Sequence, residues 1–193
     1  MHRVGRRSGV SGAEVAALLP GDAIVSRPTW SSTRGTTIAT PRADVWPWIV
    51  QMGYPAFRAG WYTPHWLDRL QWGIREDSAH EIRPDLQDLV VGDRVPDSPD
   101  CSVFFTVAEL EPERHLVLHS TRHVLPPVRG ADFSWAFCLA PAGDEETRLL
   151  IRARVRCEPR WAGAVVEPVI GIGDFLNAEA MLRGIRSRAE SDH

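Results

Sequence analysis

A histidine and a carboxylate fall on adjoining strand-like segments of this 193-residue chain. His119 shares its alternation with Val117 and Thr121, and Glu109 shares its own with Phe105 and Val107. If both turn into a dry interior, they form a pair suited to the proton transfers of an enolisation or a dehydration. If they face water, they have no such role, and that alternative stands beside the first. His115, His119 and His123 recur every fourth residue, a spacing that gathers metal ligands on a helix. On a strand it spreads neighbouring imidazoles ~13 Å apart along one face, too far for one ion. Cys101, Cys138 and Cys157 form no Cys-x-x-Cys pair, so neither a metal nor a cofactor is expected. Gly171-Ile172-Gly173 lacks the third glycine and the preceding strand of a dinucleotide fingerprint, and no nucleophile elbow occurs.

The other candidate chemistry is aromatic. Trp61 and Tyr62 end a Gly- and Pro-punctuated stretch, residues 53–63, that reads as a packed flap, and Trp66 follows on the next short helix. They either stack a planar ligand or plug the core. Phe133, Trp135 and Phe137 alternate with Ser134, Ala136 and Cys138, which puts large rings on one face of a strand only. With Phe105, Phe175 and Met181 these residues are the expected lining of an apolar ligand site.

The elements that position them follow from period and punctuation. Residues 33–40 read as a strand, with Thr36, Thr37 and Ile38 β-branched and Pro41 stopping the ladder. Thr40 and Pro41 read as the cap and first position of a helix to Met52, with Pro47 inside it; Thr63 and Pro64 repeat the signal for a second short helix to Trp72. Residues 75–89 read as loop. From Gly92 the period becomes two, with strands expected near 93–95, 102–110, 116–121, 133–139 and 149–157. In the last of these, Arg148, Arg152, Arg154 and Arg156 form a face expected to meet water. An amphipathic run over 165–189 then closes the chain, with a bend expected near Gly173. From residue 174 to 189 it spans ~24 Å, enough to roof an eight-residue strand of ~27 Å.

Composition narrows the function classes. A hydrophobic fraction of 44% and a formal net charge of -3 describe an ordinary globular domain with no footprint for nucleic acid. No stretch approaches the ~20 apolar residues of a membrane span. Every basic residue is Arg, and the three cysteines read as free thiols in a reducing cytoplasm. Residues 1–24 are expected as a loose leading segment and 25–193 as one domain.

Four segments carry a resemblance: 43–53 (Ala-Asp-Val-Trp-Pro-Trp-Ile-Val-Gln-Met-Gly), 59–62 (Ala-Gly-Trp-Tyr), 91–96 (Val-Gly-Asp-Arg-Val-Pro) and 181–185 (Met-Leu-Arg-Gly-Ile). With the element order, they resemble the START-like helix-grip superfamily (SRPBCC), in its bacterial polyketide cyclase/dehydrase-like branch. The resemblance implies an α+β helix-grip fold, a curved antiparallel sheet wrapped around a long C-terminal helix. It also implies an apolar small molecule such as a lipid, polyketide or aromatic metabolite as partner, held between sheet and helix. Two rivals remain: a cyclase or dehydratase using an inward His or carboxylate, and an interaction module with a filled core that uses Trp30, Trp161 or the flap as its contact patch.

Overall fold

The computed structural model describes residues 7–125, 128–157 and 160–191, with side chains apart from residues 71–72, 122, 124–129, 160–170 and 172. The elements in chain order are β1 (Arg7–Ser8), α1 (Gly12–Ala16), β2 (Trp30–Ile38), α2 (Arg42–Val50), α3 (His65–Trp72), a 3-10 turn (Pro84–Leu86), β3 (Arg94–Pro96), β4 (Phe104–Glu111), β5 (His115–Leu125), β6 (Val128–Pro141), β7 (Thr147–Arg156) and α4 (Arg160–Ser191). The strands form one open sheet in the order β1-β2-β7-β6-β5-β4-β3, antiparallel except for the β1–β2 pair. Among the described residues no helix is long and apolar enough to cross a membrane.

Period-two alternation gives the sheet two faces. On the inner face Phe133, Trp135, Phe137 and Leu139 of β6 stand beside Val155, Ala153, Ile151 and Leu149 of β7. These join Val45, Trp48 and Ile49 of α2 and Met181, Leu182, Ile185 and Ala189 of α4 in the main core. Full burial of each large side chain there contributes about 1.5–3 kcal/mol. α4 runs as one 32-residue helix through Pro168, Gly171 and Gly173. The expected stripe positions Val166, Val169 and Ile170 lie outside the described side chains, as does Trp161.

The cap readings at α2 and α3 are corrected. Each helix starts one residue later, with Pro41 and Pro64 as the flanking residues and no side-chain cap. The two threonines hold the tertiary structure instead. Thr40 donates from Oγ1 to the Ala189 carbonyl of α4 at 3.3 Å and accepts from Thr147 at its own carbonyl at 2.7 Å, and Thr63 donates to the Asp68 carboxylate.

Three of the four arginines on the outer face of β7, Arg148, Arg152 and Arg154, are covered, while Arg156 stays partly exposed. Beyond β1 at the sheet edge, residues 9–26 run across the outer face as a strap, and α1 opens with a full capping box between Ser11 and Glu14. Arg152, only 4% exposed, donates to the carbonyls of Glu14, Val15 and Ala17, to the Thr33 hydroxyl and to Asp22. Arg154 reaches Asp22 and the Val25 carbonyl, and Arg148 reaches Glu14 and the Gly9 carbonyl. Beneath these bonds Val10, Leu19 and Ile24 pack on Val117, Ala136, Cys138 and Leu150, a second small core. The leading segment expected to be loose is therefore docked from residue 7 onward. Arg is the side chain for this task, since its planar fork satisfies several carbonyls at once where an ammonium presents one point charge.

Candidate ligand site on the inner face of the sheet

Trp61 is delivered by the flap, Phe105 by β4, and Phe133, Trp135 and Phe137 by β6; together they make one ring wall. Trp61 lies 5.1 Å from Trp135 and edge-on to Phe105 at 6.2 Å, while Phe133 and Trp135 stack at 5.8 Å. Phe105 meets Phe133 edge-on at 5.3 Å, and Trp135 meets Phe137 at 5.1 Å. Each such pair contributes about 0.5–1.5 kcal/mol beyond its burial. Phe105 and Phe137 are sealed, whereas Trp135 stays partly exposed at the middle of its strand.

The flap is anchored by its own chemistry. Arg58 donates to the carbonyls of Val50, the last residue of α2, and of Met52 just beyond it, each at 2.6 Å. Burial lowers the pKa of its guanidinium. Tyr62 sits with φ at 60°, a left-handed backbone that costs a non-glycine residue energy and persists only where packing dictates it. Its hydroxyl donates to the Trp48 carbonyl at 3.0 Å and accepts from Gln51 at 2.9 Å. Arg188 of α4 stacks over its ring at 4.7 Å, and burial pushes its phenol pKa up. Tyr62 is thus a clamp between α2, flap and α4 rather than a wall of open space.

The remaining expected site residues divide. Met181 is buried in the main core beneath α4. Trp66 is 65% exposed on α3 and Phe175 is 36% exposed on α4, so neither joins the ring wall. Phe175 instead lies against Arg34, whose Cζ is 5.6 Å from the ring centroid. Arg34 itself points inward from β2 and pairs with Asp174, which also accepts from Ser32 at 3.1 Å. Burial raises the Asp174 pKa against the pull of that guanidinium. Trp30, expected as a surface contact, is 3% exposed in the core.

His119 and Glu109 both lie on the outer face. A β-bulge between Val107 and Glu109 adds one residue to β4, so Glu109 pairs with Val117 and leaves the side of Phe105 and Val107. It accepts from the Gly21 amide of the strap at 3.2 Å. His119 sits between Thr106 and Ser134, and its Nε2 meets Asp132 at 2.8 Å; Asp132 also holds Arg156 at 2.7 Å. With Ser102, Phe104, Thr106 and Thr121, His119 lines a concavity of about 260 Å³ that opens on this face.

A second irregularity, in β5 between Ser120 and His123, turns His123 the other way. His123, not His119, is the inward histidine. It is 3% exposed, stacked on Phe105 at 4.5 Å and edge-on to Phe133 at 5.2 Å, with Asp97 Oδ2 3.2 Å from its Nε2. On this side of the sheet four buried ring nitrogens, Trp30 Nε1, Trp48 Nε1, Trp61 Nε1 and His123 Nδ1, have no hydrogen-bond partner among the described residues. Burying such groups unpaired costs about 1–3 kcal/mol each.

Solved structures share this arrangement of sheet, short helices and closing helix. A protein from Nitrosomonas europaea is 16% identical, matched over 91% of this chain and 100% of its own with a TM-score of 0.53. Norcoclaurine synthase from Thalictrum flavum, in complex with dopamine and hydroxybenzaldehyde, is 16% identical over 92% of this chain and 96% of its own, also at 0.53. The chain has the START-like helix-grip (SRPBCC) fold. A Mesorhizobium loti protein with this fold is likewise 16% identical, over 85% of this chain and 99% of its own, at a TM-score of 0.51. No family model and no curated protein matches the sequence.

Proposed function

We propose that this helix-grip protein binds a largely apolar, ring-bearing small molecule between the inner face of the sheet and α4. The observation that carries this reading is Trp135. A tryptophan at the centre of the sheet's inner face, flanked by sealed phenylalanines, keeps solvent contact only if there is room beside it. The indole nitrogens of Trp30 and Trp61, without a partner among the described residues, support the same reading, since a ligand with an acceptor atom would remove their desolvation cost. Three unpaired thiols suit a reducing cytoplasm.

The test is a titration with N-phenyl-1-naphthylamine, followed by its own emission and by quenching of tryptophan fluorescence. Saturable uptake of one probe per chain is expected, weakened severalfold or more by Trp135→Ala and unchanged by Trp66→Ala, whose side chain lies outside the wall. Absence of saturable uptake, or sensitivity to Trp66 rather than Trp135, would overturn the proposal. A cyclase or dehydratase working through His119 and Glu109 is disfavoured, because both side chains stand on the far side of the sheet from the ring wall.

A further inference from the structure

The inward histidine narrows the ligand. We infer that His123, held by Asp97, accepts a hydrogen bond at Nδ1 from a neutral hydroxyl on an aromatic ligand, so that the inner face selects phenolic molecules over their ethers. The inference rests on the interior site proposed above.

The geometry supplies each step. Asp97 Oδ2 lies 3.2 Å from His123 Nε2, and in the neutral imidazole a carboxylate there favours the tautomer with its proton on Nε2. Nδ1 is then a bare lone pair. It is buried, lacks a hydrogen-bond partner among the described residues and stands among rings, with Phe105 against its face and Phe133 at an angle of 78°. A buried acceptor of this kind is satisfied only by a donor brought from outside. An ammonium donor would have to shed its hydration among apolar rings, a far larger cost than a hydroxyl incurs. Trp61 flanks the same Phe105 ring from the flap and presents an unpartnered N–H. The Phe105 surroundings thus hold one waiting acceptor and one waiting donor, beside the stacked rings of Phe133 and Trp135. In this arrangement Asp97 is a positioning residue, because it acts on the ligand only through the imidazole.

Alternation alone hides this histidine. Counting in twos from His119 puts His123 on the outer face, and the irregular pairing between Ser120 and His123 reverses it.

The probes are 2-naphthol and 2-methoxynaphthalene, which share a ring system and differ in the donor. Hydrophobic transfer alone favours the ether. A waiting acceptor favours 2-naphthol by about tenfold, the usual worth of one buried hydrogen bond. His123→Phe, which keeps the ring packing, is expected to abolish or reverse that preference. Long-range proton–nitrogen NMR of the free wild-type protein is expected to place the His123 proton on Nε2, with Nδ1 shifted on addition of 2-naphthol but not of the ether. This readout stands even if the variant folds poorly. Equal affinity for both probes, or a proton on Nδ1 in the free protein, would overturn the inference while leaving the interior site intact. Failure of both probes to bind saturably would overturn both.

Discussion

Glu14 shows how one side chain ties the strap to the sheet. The Arg148 guanidinium, followed by the Ser11 amide, holds its carboxyl pKa down at about 2 from an ordinary 4.5. A depressed folded pKa means that the contribution to stability is fully present above pH 4.5 and is lost as pH falls toward about 2. The melting-temperature advantage of the wild type over Glu14→Gln is therefore expected at neutral pH and to vanish across that window. A difference that stays constant with pH would contradict it. The cysteines sort by burial in the same way. Cys101 is exposed, whereas Cys157 is sealed and burial pushes the Cys138 thiol up to about 12. Titration with Ellman's reagent should count one fast thiol in the native protein and three after denaturation; three fast thiols in native buffer would place Cys138 and Cys157 wrongly.

Among the elements, α4 depends on two glycines in opposite ways. A Cβ on Gly184 would stand 2.0 Å from the Tyr62 carbonyl oxygen, so the helix and the clamp approach each other only through a bare backbone. Gly184→Ala is expected to destabilise by about 1–3 kcal/mol or more. A Cβ on Gly173 would meet nothing within 4 Å, and Gly173→Ala should stabilise the helix by about 0.5–1 kcal/mol. Urea midpoints of the two variants moving in the same direction would contradict this packing. The long closing helix, the β6 alternation and the packed flap were all legible in the sequence, because each is a local pattern of period or breakers. The faces of Glu109 and His123 were not, since a bulge adds one residue to a strand without leaving a glycine or proline to mark it. The strap was hidden for a related reason. Alternating arginines on β7 look like a wet face until the partners Glu14 and Asp22, more than a hundred residues away, are placed on them.

At the scale of the whole molecule the sheet works as a partition. Its outer face is closed over one half by the strap and its small core, and over the other half carries the His119–Asp132–Arg156 cluster. The inner face collects the rings, the inward histidine and the orphaned nitrogens beneath α2, flap and α4. Native mass spectrometry of the freshly purified protein, paired with organic extraction, tests that division most directly. An inner-face site predicts a discrete non-covalent mass on the wild type that is extractable, retained in Trp66→Ala and lost in Trp135→Ala. A wild-type protein that flies bare and takes up neither naphthyl probe would contradict it.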